Sequence, residues 1–234
     1  MRLDEYLVKK DIVDSRNKAK ELIKNSKIKV DGEIIKKPSF NVESPKIEIL
    51  QKIYVSRAAW KLKSYLEKYN IDFNKKSVID VGSSTGGFSE VALEKGARKI
   101  VCVDVGSNQL HSKIRENKKV EVFENTDIRD FKTKEKFDIL VSDVSFISLI
   151  KIFNKLNELS DEMILLFKPQ FEVGREAKRD KRGVVIDKEA IKKAQINFEN
   201  KIKEYNWEIL KKEISQLKGK EGNIEYIYHL RRKS

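Results

Sequence analysis

The sequence predicts an α/β protein with a small α+β module in front, and three observations carry that prediction. From Ser56 onward, short β-branched runs alternate with helical ones, as a doubly wound sheet requires. The run Ile79-Asp80-Val81-Gly82-Ser83-Ser84-Thr85-Gly86-Gly87-Phe88 takes a buried strand through a glycine-rich turn into a helix. The next strand, Lys99-Ile100-Val101-Cys102-Val103, ends in Asp104, about twenty residues beyond Gly82.

Taken in order, the elements begin with residues 1–50, which read as a unit of their own. Ser15 can cap a helix running through Arg16-Asn17-Lys18-Ala19-Lys20-Glu21-Leu22-Ile23, with Ala19, Leu22 and Ile23 as its apolar face. Arg16, Lys20 and Lys24 recur every four residues and share another face, which suits a phosphate backbone or solvent equally well. Then Lys27-Ile28-Lys29-Val30, Asp31-Gly32 and Glu33-Ile34-Ile35 give alternating apolar residues around a two-residue turn, a hairpin signal. Residues 45–55 end the module, with 51–56 as linker and 57–234 as the larger domain. Its candidate strands lie at 77–81, 99–103, 120–123, 137–141, 163–167, 207–214 and 224–230. Seven such strands make a Rossmann-like sheet, and the last of them are expected to form an antiparallel edge.

Composition narrows the classes. The 234 residues hold 50 Lys and Arg against 37 Asp and Glu, a formal charge of +13. That excess points to a polyanionic partner, nucleic acid first, or reflects the lysine usage of an AT-rich genome. Met1-Arg2-Leu3-Asp4-Glu5 carries acids where a signal peptide needs an apolar core, and no apolar run approaches the roughly 18 residues of a spanning helix. Cys102, the single cysteine, excludes an intrachain disulfide and a cysteine zinc cluster. His111 and His229 are too few for a histidine metal site and are expected to be structural. A cytoplasmic protein without a metal is the expectation.

In an open α/β sheet, ligands bind beyond the carboxyl ends of the strands. Asp80 and Gly82 end the first strand, Asp104 the second, Asp127 follows the third, Asp143 the fourth and Lys168 the fifth. Asp104 is placed to accept hydrogen bonds from both hydroxyls of a ribose, which fits a nicotinamide dinucleotide or S-adenosylmethionine. The turn lacks the G-x-G-x-x-G spacing and a conspicuous phosphate-binding cluster, which favours the cofactor without a pyrophosphate. S-adenosylmethionine is therefore the expected cofactor, and the sheet is the methyltransferase version of its class. Ser83, Ser84, Thr85, Gly86, Gly87 and Phe88 complete the binding turn. Asp127 would meet the adenine amino group and Ile128 its ring; an acidic loop residue is the plain alternative.

Lys61, Asp143, Lys168 and Glu225 supply two ammonium groups and two carboxylates that one strand edge can gather around a ribose hydroxyl. A sulfonium methyl is already activated, so what remains is alignment, loss of a proton and exclusion of water. Lys168 can act as base only if burial or Lys61 lowers its pKa, whereas Asp143 and Glu225 push the other way. A charged Lys168 that stabilises a developing alkoxide is the other role, and both stay open. Singly, each of the four also reads as an ordinary surface, turn or strand residue.

Two resemblances sharpen these readings. Arg2-Leu3-Asp4, Ser15-Arg16 with Ala19 and Leu22-Ile23, and Val30-Asp31-Gly32 resemble the small RNA-binding domain first known in ribosomal protein S-four. Ser56-Arg57 with Lys61-Leu62, Asp80-Val81-Gly82, Ser84-Thr85-Gly86-Gly87-Phe88, Val103-Asp104-Val105-Gly106, Asp143-Val144-Ser145-Phe146-Ile147-Ser148, Lys168-Pro169-Gln170-Phe171-Glu172 and Glu221-Gly222-Asn223 before Glu225 resemble the TlyA family. The match runs in order through nearly the whole chain. It implies an FtsJ-like ribosomal RNA methyltransferase acting on cytidine 2′-hydroxyls, with the Lys-Asp-Lys-Glu tetrad falling on Lys61, Asp143, Lys168 and Glu225. The partner is then ribosomal RNA within a ribosomal subunit. The large subunit comes first, because little chain precedes the front module; the small subunit stays open. Departures are Ala58 and Ala59 where members often carry two glycines, and Asp127 where they often carry Asn.

Arg2, Arg16, Lys18, Lys20, Lys24, Lys27 and Lys29 in the front module, and Arg57 beyond it, are the residues expected to face RNA. Residues 171–182, with Arg175, Lys178, Arg179 and Arg182, read either as a mobile lip that contacts phosphates or as an exposed disordered loop. Two other classes stay in play: a membrane-active haemolysin, since the family has also been described so, and an RNA-binding assembly factor without turnover.

Overall fold

Leu3, Leu7, Ala19, Leu22 and Ile23 meet in one core in the computed structural model, which describes residues 1–233. They come from α1 (Leu3–Lys9) and α2 (Arg16–Lys24). Ser15 caps α2 by accepting the Lys18 amide, as the sequence predicts. The hairpin follows, with β1 (Ile28–Val30) pairing antiparallel with β2 (Glu33–Ile34). Asp31 and Gly32 form its turn at φ of 52° and 88°, the left-handed pair that a two-residue turn between twisted strands demands. A third strand, β3 (Ile47–Ile49), pairs with the other edge of β1. It lies within the segment expected only to end the module; three residues are too few for alternation to declare itself.

Chain contacts divide the protein into Met1–Ile53 and Tyr54–Ser234. The larger unit runs α3 (Ala58–Tyr69), β4 (Ser77–Val81), α4 (Gly87–Glu94), β5 (Lys99–Val103), α5 (Ser112–Arg115), β6 (Val120–Phe123), β7 (Ile139–Ser142), α6 (Leu149–Leu159), β8 (Glu162–Phe167), α7 (Pro169–Glu172), α8 (Lys188–Glu204), β9 (Trp207–Ile214) and β10 (Tyr226–Arg232). The seven strands lie in the order β6-β5-β4-β7-β8-β10-β9. Pairings are parallel from β6 through β8, and β10 slots antiparallel between β8 and β9. The expected antiparallel edge is present.

Every residue of β4 is buried, as a strand covered on both faces requires. Ile79 and Val81 join Val101, Val103, Phe153 and Phe198 on one face, while Val78 joins Ile100, Leu62 and Val91 on the other. The order of strands reverses at β4, with β5 on one side and β7 on the other. The crevice between the carboxyl ends of β4 and β7 is thus the binding position of this class of sheet.

Two predicted strands shift. The one expected at 137–141 begins at Ile139, because Phe137 makes only an isolated bridge to Ser160. The one expected at 224–230 begins at Tyr226: Ile224 is exposed and Glu225 belongs to the loop side, its carbonyl taking the Ser215 amide.

Candidate active site

Gly82 stands at the switch point with φ of 78°, and a Cβ there would lie 2.9 Å from Val144 Cγ1, so the turn after β4 packs directly on the loop after β7. A Cβ on Gly87 would lie 2.2 Å from Ser56 Oγ and 3.0 Å from the Ala59 nitrogen, which lets the start of α4 rest on the start of α3. Asp104 holds the turn in place: its Oδ2 accepts the Ser84 amide at 2.8 Å and its Oδ1 the Gly106 amide at 2.7 Å. Each carboxylate oxygen keeps a further lone pair for a ligand. Nearby, Glu124 accepts the amides of Asn108, Gln109 and Leu110 at 2.8–3.0 Å and pairs with Arg115, which fixes the loop that presents Gln109. These bonds hold its carboxyl down at about 2.

Two adjoining cavities open here. One of about 420 Å³ is lined by Val81, Asp104, Gln109, Asp127, Ile128 and Phe146, among others. The second, about 190 Å³, is lined by Asp80, Ser83, Thr85, Phe88 and Lys168 and shares Gly82, Ser84, Asp143 and Ser145 with the first. Asp80 is buried. Its Oδ2 accepts the Ser89 hydroxyl at 2.6 Å and its Oδ1 has no hydrogen-bond partner. Burial, with the charge of Asp143 adding to it, pushes its carboxyl up to about 7.

Lys61, Asp143, Lys168 and Glu225 converge beside the smaller cavity, which Asp143 and Lys168 line. Lys61 Nζ lies 2.6 Å from Glu225 Oε2 and 3.8 Å from Asp143 Oδ2. Lys168 Nζ lies 2.6 Å from Asp143 Oδ1, and donates to the Asp143 carbonyl at 3.1 Å and to Ser145 Oγ at 2.8 Å. Lys61 and Glu225 are buried, so their readings as a surface helix residue and an exposed strand position do not hold, while Lys168, also buried, stands at the N-cap of α7.

The expected cofactor residues divide as follows. Gly82, Ser84, Asp104, Asp127, Ile128 and Asp143 line the larger cavity; Asp80, Ser83, Thr85, Gly87 and Phe88 line the smaller. Gly86 lines neither, since a Cβ on it would meet Leu110 and Ile114, and its role is to let α4 start. Asp127 is gripped by Arg129, whose hydrogen bonds lower its pKa. Ser145, Gln109 and Phe146 were not assigned roles from the sequence. Phe146 is 91% exposed with φ of 66°, and its ring lies 5.2 Å from that of Phe171. Only its place in the Asp143–Ser148 motif marks it.

Of the residues expected to face RNA, Arg2 and Arg16 pair with buried Asp4, and Lys18 pairs with Asp14. Lys24 and Arg57 are exposed, while Lys20, Lys27 and Lys29 are half-buried. The segment 171–182 is not a disordered loop. Glu172 accepts from Ser148 Oγ at 2.6 Å and the Leu149 amide at 2.8 Å, which docks α7 on the start of α6, and residues from Lys178 onward close a hairpin. Arg175, Lys178 and Arg182 are exposed and Arg179 is half-buried. His229 is structural as expected, buried with its Nε2 2.9 Å from Glu162 Oε1.

Known proteins are similar to this chain in sequence and fold. Residues 54–232 match the FtsJ-like methyltransferase family and residues 1–45 the S4 domain. The chain is 45% identical to the 23S rRNA (cytidine-2′-O)-methyltransferase TlyA of Campylobacter jejuni, covering 98% of each chain. It is 34% identical to the 16S/23S rRNA (cytidine-2′-O)-methyltransferase TlyA of Mycobacterium tuberculosis, over 98% of this chain and 89% of that one. A solved structure described as a hemolysin, from Streptococcus thermophilus, matches with a TM-score of 0.75 and 30% identity, over 100% of this chain and 89% of that one. Among the described residues no helix is long and apolar enough to cross a membrane. On its matched domains and its full-length relatives, the chain belongs to the TlyA branch of the FtsJ-like methyltransferase family.

Proposed function

We propose that this protein transfers the methyl group of S-adenosylmethionine to the 2′-hydroxyl of a cytidine in ribosomal RNA, in the large subunit first, as a cytoplasmic enzyme. The convergence of Lys61, Asp143, Lys168 and Glu225 beside a two-chambered cavity is the observation that carries the reading.

The cavity fits the cofactor by its own chemistry. Asp104 offers two carboxylate oxygens to a ribose, the small or absent side chains at Gly82 and Ser84 leave the turn open, and Asp80 Oδ1 awaits a donor such as an α-ammonium. Ile128 and Val81 supply an apolar bed for a base, with Asp127 at its edge. The cofactor, when bound, supplies an electrophilic methyl group on a sulfonium.

The chain does the rest. Phe146 projects a flat, exposed ring at the mouth, on which the target base can stack; such stacking is worth about 1–3 kcal/mol. Lys168, held against Asp143 and Ser145, faces the negative charge that develops on the 2′-oxygen. Lys61, held by Glu225 and 3.8 Å from Asp143, adds a second cation to the same site, and the hydroxyl proton is lost late, to water. Basic residues of the front module and the 178–186 hairpin hold the RNA backbone, recognition by shape and phosphates rather than by base edges in a groove.

Labelled S-adenosylmethionine incubated with undermodified ribosomal subunits, followed by nucleoside mapping, tests this. Label in 2′-O-methylcytidine, appearing far more slowly with Lys168→Ala, supports it. Lysis of liposomes by purified protein, kept by Lys168→Ala in the absence of any RNA methylation, would replace it with the haemolysin reading.

A further inference from the structure

Residues 178–186 form a hairpin with Lys181 and Arg182 exposed near its tip. The Ile186 amide donates to the Lys178 carbonyl at 3.0 Å and the Asp180 amide to the Val184 carbonyl at 2.9 Å. Asp180 Oδ1 takes the amides of Arg182 at 2.8 Å and Val184 at 2.9 Å, which ties the turn together around Gly183. The hairpin is therefore a built element with Lys181 at its tip and Arg182 beside it, exposed but paired with Asp180 Oδ2 at 3.2 Å.

Its base is fastened at two points. On one arm, Arg179 Nη2 donates to the carbonyl of Gln170 at 3.3 Å, two residues beyond Lys168. On the other, the buried Val185 amide donates to Asn223 Oδ1 at 3.0 Å, two residues ahead of Glu225. Asn223 is 6% exposed, and its carbonyl takes the Gly219 amide at 2.9 Å. That closes a loop so tight that a Cβ on Gly219 would lie 2.7 Å from Glu225 Oε1. Breaking the Asn223 bond leaves a buried amide without a partner, so this bond ties the hairpin to the Glu225 loop.

We propose that this hairpin is a strut: when its tip grips the RNA backbone, it fixes the two segments that carry Lys168 and Glu225, with Asn223 as the positioning residue on the Glu225 side. The inference rests on the methyltransferase reading. Phosphates attract Lys181 and Arg182. The strain passes along the hairpin to Asn223, and a shift of the Glu225 loop alters the 2.6 Å contact with Lys61, which in turn sets the charge facing Asp143. A simple phosphate contact governs affinity. A strut governs the rate once RNA is saturating.

The test is a double-mutant cycle on the full chain, read as the single-turnover methylation rate at saturating ribosomal subunits. Lys181→Gln with Arg182→Gln should slow that rate about five- to tenfold in the otherwise unchanged protein. In an Asn223→Ala background the same pair should change it by less than about twofold, because the link is already cut. Asn223→Asp keeps an oxygen for the Val185 amide and should keep the tip effect, which separates loss of the link from loss of the fold. Additive rate effects, or tip substitutions that change only the apparent affinity, overturn the strut while leaving the methyltransferase intact. No transfer by the unsubstituted protein overturns that reading and the strut with it.

Discussion

Asp4 in the front unit and Asp143 in the larger unit each sit between two cations, and their cations differ in one respect. Arg2 and Arg16, 2.9 and 3.2 Å from Asp4, are 41% and 49% exposed, so water solvates both guanidiniums while the carboxylate closes a core. Lys61 and Lys168, 3.8 and 2.6 Å from Asp143, have side chains only 10% and 8% exposed. Burying two ammonium groups and two carboxylates costs several kcal/mol per ion before attraction offsets it, and well-packed apolar residues usually stabilise a core as well or better. The first cluster is what stability alone selects. The second is explained by the cavity it faces.

Lys168→Ala should have the largest effect and is the sharpest way to break this contrast. A methylation rate lowered about 10²- to 10³-fold, with melting temperature and S-adenosylmethionine affinity kept, is expected. A lower melting temperature with activity retained would make the cluster a structural clamp like that of Asp4. Phe146→Ala removes the exposed stacking surface beside the same cluster, and single-turnover kinetics should show a loss of about 1–3 kcal/mol in transition-state binding without loss of stability. Asp4→Asn should do the reverse: chemical denaturation should show a loss of about 1–3 kcal/mol in the front unit while the methylation rate at saturating RNA is unchanged.

A further contrast lies in pH dependence, and its sign differs between two buried acids. Hydrogen bonds from Arg2, then Arg16, hold the Asp4 carboxyl down at about 2, below its unfolded value of about 3.9, so its stabilisation is present above about pH 4 and lost as pH falls through about 2. Burial raises Asp80 to about 7, so the folded chain keeps a proton that the unfolded chain has released. Its contribution is full below about pH 4 and is lost as pH rises to about 7. Melting temperature followed across that range should decline less in Asp80→Asn than in the unsubstituted protein. An identical decline in both would remove Asp80 as its source.

Much of the site was legible because chemistry in this fold follows strand ends. Asp104 and Lys168 come directly after apolar strands, Asp143 follows Ser142 at the end of β7 and Asp80 is the last residue but one of β4, and the sheet brings such positions to one edge. Lys61 and Glu225 were legible only through their flanking motifs, since neither ends a strand: Lys61 is on α3 and Glu225 precedes β10. What stayed hidden depends on tertiary contacts. The left-handed backbone at Phe146, the docking of Glu172 on α6 and the Val185–Asn223 bond have no periodicity to announce them. The insertion of β10 between β8 and β9 was hidden for the same reason, because strand order is set by packing partners rather than by any local pattern.

Mapping of label from S-adenosylmethionine onto nucleosides of undermodified large-subunit RNA tests the central claim most directly. The buried cluster predicts label in 2′-O-methylcytidine with the unsubstituted protein, appearing about 10²- to 10³-fold more slowly with Lys168→Ala. Label on a base carbon or nitrogen, or equal ribose label from both proteins, would contradict it.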